Sequence, residues 1–337
     1  MVPEASKLEE MLPDDRQKVV AFVRKWGGMN SDGILDLSCK FFLLPEVEGM
    51  IGYRIESGHA IVFGEPLCSH TDKAKISNAF QSHCEAQKLG VVYTMVSKSF
   101  ADWSLENLSC VSVEFGEKFI LNPLINPLDS PGPNGVLVRK KVRQAHKNKI
   151  YIQEYLKPDP SIEAKIEKAA ELWLQARKGP QIYLSQIRLF HDKEGKRWFY
   201  AQHEDNIVGL LVLNQIQSQD GWLLNNVMTT KEAPSGTSEL LIISALEALG
   251  RENCKNVVVG PIPAQYLGEI NGVNSLLKAC TRFLYQCAKK LFRFEGYETF
   301  WKKFQPSTEG CYIVFPRRNL SFSSIKGILQ AFNVKKK

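Results

Sequence analysis

The chain has no long hydrophobic run. Its apolar stretches, such as Ile207–Leu213, fall well short of the ~20 residues that a membrane-spanning helix needs. The N-terminus, MVPEASKLEEMLPDDRQK, is charged and lacks an apolar core, so it does not read as a secretory signal. Cysteine is scattered over Cys39, Cys68, Cys84, Cys110, Cys254, Cys280, Cys287 and Cys311, with no CxxC and no paired Cys/His spacing. That pattern argues against a zinc motif or a disulfide framework and reads as reduced, mostly buried small hydrophobes. The six histidines are equally dispersed, so neither a His-based metal site nor a Ser/His/Asp triad has support. No metal is expected.

What is present describes a folded globular protein. Hydrophobic residues make up 44% and charged residues 23%, far from the composition of a disordered chain. At 337 residues there is room for two ordinary domains or one large one. The net charge of +7 is concentrated in Arg139–Lys149 (RKKVRQAHKNK) and in the closing Lys335–Lys337. Basic density of this kind suits phosphates, of nucleic acid or of anionic lipid; a solvated helix face is the plainer alternative.

Periodicity divides the chain into two similar halves. A helix is expected over Asp15–Trp26, stopped by Gly27-Gly28. Met50–Glu56 and His59–Gly64 flank Ser57-Gly58 as a hairpin. A helix over Asp72–Lys88, a buried strand at Val91–Val96 and two short strands, Cys110–Val113 and Lys118–Leu121, follow. The Pro-, Asn- and Gly-rich run 122–135 reads as a linker. The basic helix then begins near Leu137 and a second helix covers Ser161–Arg177. Arg197–His203 and Ile207–Asn214 form another hairpin, and Trp222–Met228 a further strand. A buried strand at Asn256–Gly260, a long helix near Asn274–Leu291 and a last strand at Tyr312–Pro316 complete the plan. The tail from Ser323, with Ile325, Ile328, Leu329 and Phe332, forms either an amphipathic surface helix or a terminal helix packed on its own domain.

Residues 222–249, WLLNNVMTTKEAPSGTSELLIISALEAL, carry the strongest chemical signal. An apolar strand feeds a short loop with Pro234 and Gly236, and a helix opens at once with Ser235, Thr237 or Ser238 as candidate N-caps. Such a junction aims several unpaired N–H groups at one spot, suited to a phosphate or a developing oxyanion. An ordinary capped turn is the alternative. Hairpin, helix and strand in both halves is the plan of GNAT-type acyltransferases. The expected architecture is therefore α/β with mixed sheets, in two tandem GNAT-like domains, 1–130 and 131–337.

Five blocks in order resemble the catalytic domain of the phosphatidylglycerol lysyltransferase family, over roughly Leu35 to Pro316. Val62–Pro66 reads VFGEP, with Glu65 where the family's turn has Asp. The basic helix VRKKVRQAHKNK is the second block, and Trp173-Leu174 with Lys178-Gly179 the third. Glu232, Ala233, Pro234, Ser235 and Gly236 match an Asp-Ala-Pro-Asn-Gly loop. Gly296, then Lys303, Phe304, Gln305 and Pro306, match a late Gly and Lys-Phe-Asp-Pro. Departures are Asn226 where the family has Asp on the strand before the loop, and Glu298 and Trp301 where it has basic residues. No flippase region accompanies the sequence, so a stand-alone form is expected.

The resemblance implies transfer of an aminoacyl group from aminoacyl-tRNA to a phosphatidylglycerol-like lipid or another hydroxyl acceptor, with no cofactor. It implies a cytoplasmic protein able to work at the inner face of the membrane. Glu232 becomes a candidate proton acceptor or amino-group ligand, although a carboxylate at a helix start is favoured by the macrodipole anyway. Asn226 is a candidate for orienting the acyl carbonyl, and Lys303 for holding a phosphate. Ser235, Gly236, Thr237, Arg177 and Lys178 are candidate substrate contacts. Arg139, Lys140, Lys141, Arg143 and Lys147 are candidate contacts to tRNA or lipid phosphates. Two other readings share the fold. One is a CoA-dependent acyltransferase, against which stands the single glycine of APSGTS; the other is a non-catalytic nucleic-acid or membrane adaptor.

Overall fold

The computed structural model describes residues 13–29, 31–36, 38–176, 189–292, 295–318 and 320–332. The first helix, α1 (Pro13–Trp26), buries Val19 and Val23 in the core of the first half. Its other side reaches the second half, where Arg16 pairs with Asp192 at 2.9 Å and Arg24 donates to the Glu194 carbonyl at 2.8 Å. Three antiparallel strands follow, β1 (Lys40–Leu43), β2 (Met50–Glu56) and β3 (His59–Phe63). Ser57 and Gly58 both take positive φ (49° and 75°), which fits a two-residue hairpin loop. α2 (Lys73–Ala86) then carries the chain across to β4 (Gly90–Val96), parallel to β3.

After α3 (Lys98–Asn107) comes β5 (Val111–Leu121). This is one continuous strand, not the expected pair of short ones. Gly116, in the gap between the two expected strands, lies mid-strand where a Cβ would sit 2.3 Å from the Ile262 carbonyl oxygen. It marks a close approach of two backbones. α3 was not expected from the pattern; Ser97 caps it by accepting from the Phe100 N–H.

The second half begins with α4 (Gly132–Lys147), which starts earlier than Leu137 because Pro133 is tolerated in a first turn. β6 (Ile150–Glu154), α5 (Pro160–Ala176), β7 (Lys196–His203), β8 (Asn206–Ile216) and β9 (Gly221–Thr229) follow. β6 to β9 are paired antiparallel in sequence order. α6 (Thr237–Arg251) crosses to β10 (Asn256–Pro263), parallel to β9. Then come β11 (Ile270–Asn271), α7 (Ser275–Phe292), α8 (Glu295–Lys302), β12 (Ser307–Phe315) and α9 (Phe322–Ala331). α9 packs Ser324, Gly327 and Ala331 inward, and Arg54 donates to the Ala331 carbonyl at 2.6 Å, so the tail helix lies on its own protein.

All these strands belong to one sheet, ordered β1-β2-β3-β4-β12-β5-β10-β9-β8-β7-β6, with β11 on β5. The hairpin, crossover helix and parallel strand occur twice, giving a mixed α/β architecture of two GNAT-like halves. The last strand of each half lies beside the other: β5 pairs with β10, and β12 with β4. Both faces of each half are covered. In the second half, α4 and α6 bury one face through Val138, Val142, Leu241, Ile242 and Leu249; α5 covers the other with Ile166 and Ala170. Each fully buried Leu or Ile contributes roughly 1.5–3 kcal/mol.

The end of β3 and the end of β4 are tied together by Glu65. Its carboxylate pairs with Lys73 and accepts from the Ser97 N–H at 2.8 Å. Burial pushes the Glu65 carboxyl up, but Lys73 and Ser97 outweigh it and hold it below its ordinary value of 4.5. A carboxylate whose pKa falls on folding adds stability above its unfolded pKa and loses it as pH drops through the folded one. Glu65→Gln should therefore flatten the fall in melting temperature between about pH 5 and pH 3. An acid limb as steep as the parent's would rule this out.

Candidate functional site

The parallel pair β9/β10 is short. It runs from Asn256 opposite Gly221 to Val259 opposite Leu224 and then ends. Beyond that point β9 continues along β8 to Thr229, while β10 shifts register between Val259 and Pro261 and follows β5. The strands part and leave an opening. In the first half the equivalent place is closed by the Glu65–Ser97 hydrogen bond. Among the described residues no hydrogen bond joins 225–230 to 260–263.

β9 leads directly into the turn that starts α6. Gly236 occupies the N-cap position in a left-handed conformation (φ 98°), and no side chain caps the helix. The Thr237 N–H donates to the Pro234 carbonyl at 3.2 Å, and the N–H groups of Ser238 and Glu239, which no side chain caps, are left to a carbonyl oxygen or an anion. Ser235, Thr237 and Ser238 do not serve as caps. The Ser235 hydroxyl accepts from Lys141 at 2.7 Å, and the Thr237 hydroxyl donates to the Pro234 carbonyl at 2.7 Å. Gly236 is required twice over: a Cβ there would also lie 2.1 Å from the Lys141 carbonyl oxygen. That close approach seats α4 against the start of α6.

Lys303, just after α8, reaches the same helix end. Its ammonium lies 2.6 Å from a Glu239 carboxylate oxygen in the first turn of α6, with both side chains 8% exposed. It also sits 3.7 Å from the Phe300 ring centroid and 5.3 Å from that of Phe304. Burial lowers the Lys303 pKa; Glu239 opposes the shift and Lys141 adds to it. Phe300, Trp301 and Phe304 contact one another at 5.2–5.8 Å and belong to the core that holds Leu224 and Val259. Lys141, Ser235, Glu239 and Lys303 thus gather at the uncapped start of α6, beside an aromatic wall. Glu239 was missed in the sequence; its one signal is an acidic residue in a helix's first turn.

The other expected residues are spread more widely. Glu232 is exposed on the turn before α6. Asn226 is half-buried on the opposite side of the sheet from Lys303. It stands opposite Val212, which faces α5, whereas Leu224 stands opposite Leu213, which faces α6. Asn225 is the additional residue between them, a bulge that turns Asn226 to the α5 side. The basic helix also divides. Arg139 donates to the Leu128 and Ser130 carbonyls at 2.6 and 2.9 Å, and Lys141 is engaged with Ser235. Lys140, Arg143 and Lys147 form the exposed stripe. Arg177 and Lys178 lie outside the described residues. No group of three His, Cys, Asp or Glu side chains that could hold a metal occurs among the described residues. No helix among them is long and apolar enough to cross a membrane.

Two hairpin–helix–strand halves, one opening at an uncapped helix N-terminus, define a tandem GNAT-like fold. More narrowly, the chain belongs to the family described as phosphatidylglycerol lysyltransferase, C-terminal, whose model matches residues 35–315. The chain is similar in fold to L-PGS from Bacillus licheniformis, at 16% identity and a TM-score of 0.79, over 99% of this chain and 100% of that one. It is also similar to the C-terminal (DUF2156) domain of a putative lysylphosphatidylglycerol synthetase from Agrobacterium fabrum. There the identity is 13% and the TM-score 0.76, over 94% and 95% of the two chains. FemX is more distant, at 8% identity and a TM-score of 0.55, over 94% of this chain and 99% of that one. No curated protein matches the sequence.

Proposed function

We propose that the chain moves an aminoacyl group from aminoacyl-tRNA to the hydroxyl of an anionic, phosphatidylglycerol-like membrane lipid, at the opening between β9 and β10. The observation that carries this reading is the uncapped first turn of α6, with the Lys303–Glu239 pair beside it. The lipid hydroxyl oxygen attacks the ester carbonyl and a C–O bond forms. The first-turn N–H groups stabilise the oxyanion, where one such donor contributes about 3 kcal/mol. The bond to the tRNA ribose oxygen then breaks, and the proton of the attacking hydroxyl ends on that oxygen. Glu232 is assigned to accept the proton or to hold the amino group. Asn226 orients the aminoacyl group from the α5 side. The donor ester is already activated, so positioning supplies most of the remaining acceleration and no cofactor is required.

In this reading Lys140, Arg143 and Lys147 contact backbone phosphates of the tRNA. Changing all three to Ala should weaken tRNA binding and reduce the slope of log affinity against log salt by about 2–3. An unchanged slope would make the stripe a solvated face. Arg139→Ala should act on melting temperature instead, since its guanidinium holds two carbonyls of the preceding turn. The reaction itself is tested by incubating the protein with labelled aminoacyl-tRNAs and a total lipid extract and following the label into the lipid fraction.

A further inference from the structure

The α5 side of the sheet holds polar groups that the fold itself does not use. Asn214, on β8, is fully buried. Among the described residues neither its side-chain oxygen nor its nitrogen has a hydrogen-bond partner. The indole N–H of Trp198, a residue only 5% exposed, is likewise unpaired. Burial strips such groups of water, so interior amides and indoles are nearly always satisfied, and a set left unpaired needs a reason. Strand pairing brings these groups together. Trp198 and Asn226 stand on either side of Val212, and Asn214 is the next residue of β8 on that face. Asn214 is therefore a diagonal neighbour of both, roughly 7–8 Å away. Asn226 is half-buried where β10 leaves β9, so it forms the open end of a polar line whose buried end is Asn214.

Charge restricts what this line can receive. Lys196 stands directly opposite Asn214 on β7, and its ammonium donates to the His191 carbonyl at 2.9 Å. The two carboxylates that act on Lys196 are already held. Asp32 accepts from two Arg24 nitrogens at 3.0 and 3.1 Å, and Asp192 from two Arg16 nitrogens at 2.9 and 3.1 Å. Burial lowers the Lys196 pKa; Asp32 and Asp192 oppose the shift, and Arg24 and Arg16 add to it. A second ammonium brought to Asn214 would meet Lys196 with both acids engaged elsewhere, which disfavours a lysyl side chain. An uncharged hydroxyl or amide fits. It can accept from the Asn214 amide nitrogen and the Trp198 indole, and donate to the Asn214 amide oxygen.

We infer that Asn214, with Trp198, reads the side chain of the transferred amino acid and selects one ending in an uncharged hydroxyl or amide. This rests on the proposed function, in which Asn226 orients the aminoacyl group from the same side of the sheet. The test measures binding of 3′-amino-3′-deoxyadenosine carrying glutamine, alanine or lysine through an amide, a mimic of the charged tRNA terminus. Transfer to lipid from the three corresponding aminoacyl-tRNAs is followed in parallel. The parent should bind the glutamine analogue about tenfold or more tighter than the alanine analogue, with lysine the weakest. Asn214→Leu should bring glutamine and alanine within about threefold of each other. Its melting temperature should equal or exceed the parent's, since an unpaired buried amide gives way to an apolar group of similar size. A purely structural role would instead lower the melting temperature and weaken all three analogues alike. The parent's own ranking decides the matter even if Asn214→Leu does not fold. Equal parent affinities, a preference for lysine, or an unchanged glutamine-to-alanine ratio in folded Asn214→Leu overturns the inference. Selective binding with no transfer to lipid sinks the proposed reaction and leaves the role of Asn214 standing; transfer with lysine preferred does the reverse.

Discussion

Lys303→Ala is expected to cost about 3–5 kcal/mol in urea denaturation, because it leaves the Glu239 carboxylate buried without its ammonium. The substitution also removes a cation lying 3.7 Å from the Phe300 ring centroid. Most of the loss is the penalty of the orphaned charge and not the net worth of the pair. Replacing both partners, Lys303→Met with Glu239→Gln, should therefore recover much of the stability. Transfer should fall in both variants, since the pair sits at the helix end assigned to the oxyanion. A loss below about 1 kcal/mol for Lys303→Ala would mean that the pair behaves as a solvated surface bridge.

Gly236→Ala is expected to lower turnover by about a hundredfold, the usual consequence of shifting a reacting geometry by about an ångström. Two constraints meet at this residue. A Cβ in the left-handed region costs roughly 1–2 kcal/mol, and here it would also sit 2.1 Å from the Lys141 carbonyl oxygen. The clash is with backbone, so α4 and the start of α6 must separate. That motion pulls Lys141 from Ser235 and displaces the first-turn N–H groups. Turnover equal to the parent's, in a folded Gly236→Ala protein, would show that this helix end takes no part in the reaction.

The hairpin 50–63, α6 and its loop, and the buried strands were legible because each rests on local chemistry: a Ser-Gly turn, an apolar run, a Pro/Gly break. What escaped the sequence is non-local. The insertion of β12 between β4 and β5 joins residues nearly two hundred positions apart, and no periodicity records it. The single strand β5 was expected as two short ones because nothing local shows that Gly116 serves a close approach to Ile262 and not a turn. The paired asparagines Asn225 and Asn226 give no hint which one bulges, yet that choice decides which side of the sheet Asn226 faces. The charge block 139–149 is continuous in sequence, but folding commits Arg139 and Lys141 to internal partners and leaves Lys140, Arg143 and Lys147 outside. Lys303 was legible as a candidate; its partner Glu239 was not. α7 was legible as a long helix, but not that Leu276, Leu277, Phe283 and Leu284 stand exposed on it.

The most direct measurement is the fate of the labelled aminoacyl group. With a mixture of aminoacyl-tRNAs and total lipid extract, the parent should carry label into a lipid ester and release free tRNA, and Gly236→Ala should do so far more slowly. Absence of labelled lipid, together with consumption of an acyl-CoA, would contradict the proposed transfer.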